Sequence, residues 1–451
     1  MMFKFLGRRL QLPSQFGADL VLTTITNIFI AALGFCTGVI LARQLGPTGR
    51  GDLAIIQTLP TIIAHISMLG TAEALTYFSA RQPGSAGRWL VTSILIISVA
   101  ALPAWVLGTY AIPHFLAAQT PAVIKYTQWY LLVIPLYGLT NLLVAPLRGI
   151  NDLITWNVLR SLTTVGWLIV VVAVILLGQV NAPSLAQAYL ISMLVVTLIS
   201  FPVVFKRLPG SFSPSLSLVN PLLRFGVPTV ISRVPSILNT RLDQMLMAFY
   251  LPPRMLGLYV AAVAWSRVTS PLIGALSQTI LPRVASDQPG SSQIQRVVQG
   301  SRLAVIISLL TAALTAFLAP LLVPLVFGSS YKDAIFAAIL LSIASGADSY
   351  RQVLVSISLG LGAPKYVLIS EMVGLGVTLL LLQMLLQPYE IIGAAAASLA
   401  AYIVVCICLV VLVTRKCHIP ATEMLLPAAD DWRLVQLQIA KFRQRMAHNG
   451  G

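Results

Sequence analysis

Arg233, Arg241 and Asp243 sit in the stretch RVPSILNTRLDQML, between the otherwise apolar flanks RFGVPTVIS and MAFYLPPRML. A guanidinium is a planar fork of donors that grips phosphate at two points, and a carboxylate can hold a proton or a cation. On a continuous helix counted from Arg233, Ser236, Thr240 and Gln244 fall within about 60° of it, and Arg241 and Asp243 lie about 80° to either side. Leu238, Leu242, Met245, Leu246 and Phe249 take the opposite face. An arginine facing lipid at mid-bilayer costs at least about 2.5–3.5 kcal/mol, so this stripe is expected to face protein or water. Arg241 and Asp243 are two residues apart and cannot neutralise each other on one helix, so each needs a partner elsewhere.

Other apolar segments carry polar stripes that could meet this one. Ser345, Asp348, Ser349, Gln352 and Ser356 recur at helical spacing, with Arg351 one turn after Asp348. Arg267 and Ser270, then Thr58, Thr61, His65 and Glu73, and finally Glu371 extend the set. Their convergence would make a wet central cavity, whereas isolated pairs such as Asp348–Arg351 or Asp243–Arg267 would only fix helix register. Four arginines and the acids Glu73, Asp243, Asp348 and Glu371 balance, so the cavity is not expected to be decisively cationic. Arg148, Arg160 and Arg224 would tip one mouth positive. His65 reads as a hydrogen-bonded core residue rather than a proton relay. Cys36, Cys406, Cys408 and Cys417 form no C-x-x-C pair and read as inert thiols, with no metal and no cofactor implied.

The elements that position these groups follow from composition. Hydrophobic residues make up 57% of the 451 and charged residues 9%, against roughly 45–50% and about 25% in soluble proteins. Twelve apolar segments follow one another at 19–43, 52–78, 88–111, 122–148, 154–178, 183–205, 222–250, 256–281, 297–322, 332–361, 365–387 and 391–414. Most reach the roughly 20 residues that cross a hydrocarbon core. The fold class is an all-α polytopic membrane protein. The +16 net charge sorts by side: with the N-terminus inside, twenty basic residues fall in inner segments and Arg43, Arg50, Lys125, Arg254 and Lys332 in outer ones. That is the positive-inside pattern, which places both termini in the cytoplasm and makes nucleic acid an unneeded partner.

The first apolar run is too long for a cleaved signal and is expected to remain as a span. The organisation reads as an N-terminal segment 1–18, a first lobe 19–205, a cytoplasmic linker 206–221, a second lobe 222–414 and a cytoplasmic tail 415–451. In the tail, Trp432, Val435, Ile439, Phe442 and Met446 share one face. An amphipathic helix on the membrane surface is expected there, or a dock for a synthesis enzyme.

The halves repeat at an offset of 206 residues, the separation of Ala42 and Ala248. ARQLGPTGRGDL lies over AFYLPPRMLGLY, matching Leu45 with Leu251, Pro47 with Pro253 and Gly51 with Gly257. Six helices per half would relate the lobes by an axis along the membrane normal, with ligands between them.

LARQLGPTGRGDLAIIQTLP, LGTAEALTYFSAR, RFGVPTVIS, NTRLDQMLM, LGLYVAAVAW and LSQTILPRVAS together resemble the Wzx-type polysaccharide-biosynthesis flippases of the MOP superfamily. The resemblance implies two pseudo-symmetric six-helix lobes, MATE-like, that move a polyprenyl-diphosphate-linked oligosaccharide across the bacterial inner membrane by alternating access. It implies lipid as surroundings and a polysaccharide polymerase or synthesis complex as partner, with no catalytic residue. Carried onto this chain it makes Arg233, Arg241, Arg267 and Arg351 the substrate-binding candidates and Glu73, Asp243 and Asp348 the ion-coupling candidates. The near-zero charge balance departs from the cationic cavities expected of lipid II flippases. The rivals are a MATE-like multidrug exporter, which relies on acids in its lobes, and a membrane glycan polymerase or glycosyltransferase, which is disfavoured because no loop is large and the outer acids Asp52, Asp333 and Glu390 are scattered singly. An ATP-driven pump is excluded within the chain, because no lysine follows a glycine.

Overall fold

The computed structural model describes residues 15–285 and 290–426, and every regular element among them is helical. In order these are α1 (Gln15–Ser67), α2 (Thr71–Arg81), α3 (Ala86–Phe115), α4 (Pro121–Tyr130), α5 (Val133–Gly149), α6 (Leu153–Leu176), α7 (Ala182–Arg207), α8 (Val219–Asn239) and α9 (Leu242–Tyr250). They continue as α10 (Pro253–Ser266), α11 (Ser270–Ala285), α12 (Ser291–Phe327), α13 (Ile335–Gly360), α14 (Pro364–Cys417) and α15 (Ala421–Leu425). Among the described residues, eight helical segments are long and apolar enough to cross a membrane. Their outer faces are apolar: Leu107, Leu176 and Phe317 are 68, 82 and 82% exposed. Large apolar surface left open in this way is what a lipid solvent requires.

Two of the longest helices are each bent at one non-helical residue. In α1 this is Gly46, at φ 65° and ψ −179°, a backbone state essentially closed to residues with a side chain. Pro47 follows at once, suited to the first position of a new helical run. In α14 the bend is at Glu390, at φ 46°.

The chain forms two compact units, the first comprising 1–261 with 326–331, the second 262–325 with 332–451. The core of unit one gathers Leu75 of α2, Leu90 of α3, Leu142 of α5, Leu159 of α6, Val204 of α7 and Leu222 of α8. The rings of Phe78 and Trp89 stack there at 4.3 Å. Unit two centres on Ile273, Val297, Val353, Leu354, Val405 and Leu409, from α11 to α14. Short α15 closes over it, its Glu423 carbonyl accepting from Arg302 Nε at 2.6 Å. The predicted tail helix lies outside the described residues.

The duplicated turns meet each other within unit one. A Cβ on Gly51 would overlap the carbonyl oxygen of Pro253, and a Cβ on Gly257 would overlap that of Pro47. Each glycine therefore lets the other turn's backbone approach to contact, in a reciprocal arrangement like that of a two-fold interface. Crosswise hydrogen bonds reinforce it. The buried Gln119, between α3 and α4, donates from Nε2 to the carbonyls of Ala248 and Leu251 at 2.8 and 3.1 Å. Tyr331 donates from its hydroxyl to Ala42 at 3.1 Å. Ala42 and Ala248 are matched positions of the repeat, each near the end of a helical run where carbonyls lack intrahelical donors.

Candidate anion-binding cavity

The stretch expected to be one helix from Arg233 to Leu246 is two. α8 ends at Asn239 and α9 begins at Leu242. At the break Thr240 Oγ1 donates to the Ile237 carbonyl at 2.9 Å, and the Arg241 amide turns back only three residues, to Leu238, at 3.0 Å. A hydroxyl competing for a backbone carbonyl is a standard disturbance of helical pairing. The new helix then starts with the Met245 amide donating to the Arg241 carbonyl at 3.0 Å. Asp243, in its first turn, favours that positive end. Its Oδ1 accepts the Gln244 amide at 2.7 Å and its Oδ2 the Tyr259 hydroxyl at 2.6 Å.

The break resets the phase of the polar stripe. Asp243 is 8% exposed and committed to Tyr259 in the core, whereas Arg241 is exposed. Thr240, Arg241 and Gln244 line a cavity of about 440 Å³ within unit one, and Arg241 Nη1 donates to Gln244 Oε1 at 3.3 Å. Arg267 occupies a second helix break, between α10 and α11 in unit two, where its charge acts on Asp348.

The opposite wall of the cavity comes from α1. Arg50, Gln57, Thr58, Thr61 and His65 face the same space. The His65 ring is fixed from both sides: Nδ1 lies 2.8 Å from the Thr61 carbonyl and Nε2 lies 2.7 Å from the Tyr137 hydroxyl. A carbonyl only accepts, so this pairing assigns the hydrogen to Nδ1 and makes Nε2 the acceptor. His65 is thus hydrogen-bonded at both ring nitrogens on the wall of the cavity. Glu73 begins α2 and, like Arg241, lies within electrostatic reach of Tyr137.

Tyr130 of α4, Trp167 of α6 and Tyr189 of α7 complete the cavity with aromatic surface. Trp167 and Tyr189 meet edge to face at 5.0 Å. No aspartate or glutamate is among the described residues that line it. Two arginines, Arg50 and Arg241, face it, and Glu73, Asp243, Asp348 and Glu371 are not among its described lining residues. Among the described residues Arg50 has no ion-pair partner; it is half-buried, with Tyr331 within electrostatic reach.

Asp348 of α13 and Glu371 of α14 are engaged within unit two. Arg351 joins Asp348 Oδ1 at 2.7 Å and pairs with Glu371 across the two helices, its guanidinium over the Tyr402 ring at 5.7 Å. Gln352 Nε2 donates to Asp348 Oδ2 at 3.0 Å. Arg351 and Glu371 are 7 and 3% exposed. The geometry is that of a closed ion cluster joining two helices. The Arg233 side chain lies outside the described residues.

Sequence reasoning assigned Arg50 to an outer turn and missed Gln57, Tyr130, Trp167 and Tyr189. A signal for Arg50 was present: it begins the series Arg50, Ala54, Gln57, Thr61, His65, spaced as one helical face. The aromatics carry no such mark, because membrane helices hold many rings in packing roles.

Comparisons with known proteins agree with this architecture. The Haloferax volcanii protein described as probable low-salt glycan biosynthesis flippase Agl15 is 22% identical over 388 residues, spanning 84% of this chain and 79% of that protein. The lipid II flippase MurJ in an inward closed conformation superposes with a TM-score of 0.70 at 15% identity, over 90% of this chain and 89% of that one. A multidrug resistance MATE family transporter of the MOP superfamily, inward-facing, superposes with a TM-score of 0.69 at 16% identity, over 87% of this chain and 98% of that one. The fold is that of polytopic MOP membrane proteins. The sequence profile of the polysaccharide biosynthesis protein family matches residues 16–288, more than half of the length, and the chain belongs to that family.

Proposed function

We propose that this chain is a transporter, not an enzyme, that carries a polyprenyl-diphosphate-linked oligosaccharide across a bacterial plasma membrane by alternating access, for surface polysaccharide export. The observation that carries the reading is that Arg50 and Arg241 face one polar cavity with no carboxylate among its described lining residues. Guanidinium groups facing a low-dielectric space suit a diphosphate, which each can grip at two oxygens. Trp167, Tyr130 and Tyr189 offer ring faces to the apolar sides of sugars, and Thr58, Thr61, Gln57 and Gln244 offer hydrogen bonds to hydroxyls.

In this reading the chain crosses the membrane twelve times, as two six-helix lobes at 19–205 and 222–414 joined by the linker 206–221, with both termini in the cytoplasm. The bends at Gly46 and Glu390 support counting α1 and α14 as two spans each. Asp348, Arg351 and Glu371 hold α13 against α14 and provide the carboxylates nearest to an ion-coupling role, with Glu73 the corresponding acid of unit one. A multidrug-exporter reading would need an acid to meet a cationic drug, and the described cavity lining presents arginines instead.

The test is export in cells carrying Arg241→Gln or Arg50→Gln. Folded, membrane-inserted variants should leave glycan-bearing lipid accumulating on the cytoplasmic face and lower the glycan outside. Normal export by both variants would overturn the reading.

A further inference from the structure

Unit one holds a second, larger space of opposite character. It is a groove of about 1130 Å³ between α1, α3 and the start of α8, and its walls are almost wholly apolar. Along α3 it runs from Thr92 to Phe115, about 35 Å at 1.5 Å per residue, comparable with a hydrocarbon core of about 30 Å. Its floor is low where Ala100 and Ala104 lie one turn apart, and Val99 and Leu107, each 68% exposed, stand above it.

The groove and the polar cavity share two helices. On α1, Thr58, Thr61 and His65 face the cavity, whereas Leu59, Ile63 and Ile66 face the groove. On α8, Ile237 lines the cavity and Val219 and Leu223 line the groove. Helix α1 thus carries a cationic, hydroxyl-rich compartment on one face and, on another, an apolar trough as long as the membrane is thick. One molecule that fits both at once has an anionic, sugar-bearing head and a long hydrocarbon chain.

We propose that the groove is the seat of the substrate's polyprenyl chain while its diphosphate is held by Arg241 and Arg50, an inference that rests on the function proposed above. The bilayer solvates a free chain as well as the groove does, so hydrophobicity alone gives no preference. The groove fills because the head, anchored on the other face of α1, holds the chain nearby at high effective concentration. Occupancy of the groove must therefore depend on the arginines of the cavity.

That dependence is measurable with the full chain in nanodiscs of fixed phospholipid composition. A photoreactive residue replaces Ala104 in the groove or, as a bulk-lipid reference, Leu310 on the exposed face of α12. The probe is long-chain polyprenyl diphosphate carrying a radiolabel in its chain. Capture at position 104 should exceed that at 310, and Arg241→Gln should lower the former about tenfold while leaving the latter unchanged. Equal capture at both positions, or capture at 104 indifferent to Arg241→Gln, would assign the groove to bulk lipid and overturn the proposal. Farnesyl diphosphate binding separates the two claims. If the native protein binds it and Arg241→Gln does not, the headgroup reading stands whatever the groove does; if the native protein fails to bind it, the headgroup reading falls and takes the groove with it. Filling the trough by Ala104→Trp, followed by capture from a photoreactive residue at Val99, should lower chain capture; undiminished capture would contradict the assignment.

Discussion

Gly51 and Gly257 hold equivalent places in two copies of one turn, and each leaves room for the proline carbonyl of the other copy, Pro253 for Gly51 and Pro47 for Gly257. Gln119 and Tyr331 then tether the matched residues Ala248 and Ala42. A duplicated segment has met its own duplicate in a self-complementary contact, which places the start of α10 beside the bend of α1. That bend presents Arg50, and α9, immediately before α10, presents Gln244 to the same cavity.

Gly51→Ala and Gly257→Ala should each destabilise unit one by about 1–3 kcal/mol, the usual cost of forcing atoms into a filled space. Alanine's better helix propensity returns at most about 1 kcal/mol and does not win, because the obstructing atoms are backbone. Thermal unfolding in detergent reads the effect. Unchanged melting of both variants would show that the turns are not in contact.

Gln119→Ala should cost about 1–3 kcal/mol, since it strands the carbonyls of Ala248 and Leu251 in a buried place. Gln119→Glu should be at least as harmful, because it sets a carboxylate against two carbonyl oxygens. Denaturant or thermal melts of the two variants provide the comparison.

Arg50→Gln should raise or preserve stability while weakening diphosphate binding. A half-buried guanidinium without an ion-pair partner is a burden on the folded state, and removing it relieves desolvation. Opposite movement of melting temperature and affinity is the signature of a residue kept for its ligand. A loss of stability together with unchanged affinity for farnesyl diphosphate would make Arg50 structural.

Arg351→Met should behave the other way. It leaves Asp348 and Glu371 buried without their cation, a change that costs about 3–5 kcal/mol when one partner of a buried cluster is removed. Farnesyl diphosphate affinity per folded molecule should not move. A selective loss of affinity in a stable Arg351→Met protein would restore Arg351 to the substrate ligands.

Tyr259→Phe removes the donor to Asp243 and should cost about 1.5–3 kcal/mol, the range for hydrogen bonds to charged groups. Because Asp243 follows the break that presents Arg241, the variant should also weaken headgroup binding, and Asp243→Asn should repeat the pattern. Binding isotherms beside melting curves distinguish this from simple loss of stability.

The membrane class was legible because lipid admits few charged residues and long apolar runs have one physical explanation. The pairing of Gly51 with Gly257 was legible because contact between backbones leaves a glycine at both ends. The stripe of Thr58, Thr61 and His65 was readable because α1 keeps its period past Pro60. Periodicity failed at Thr240, where a side-chain hydroxyl and a changed amide pairing break the helix, and angular phase does not survive a break. The placement of the acids was hard to read for a related reason. Counting ionisable residues treats Asp243 and Asp348 as free to face the chamber, and Tyr259 and Arg351 had already claimed them. Arg50 was passed over because a basic residue between glycines at the end of an apolar run reads as a loop charge.

The central claim is that Arg241 and Arg50 hold the diphosphate of a lipid-linked glycan, and flipping in reconstituted vesicles tests it most directly. Purified protein in proteoliposomes carrying a fluorescent polyprenyl-diphosphate oligosaccharide should translocate the probe. The Arg241→Gln, Arg50→Gln double variant should slow translocation by about a hundredfold, the product of about tenfold from each charge-assisted contact. Translocation at the native rate by a folded double variant would contradict the account.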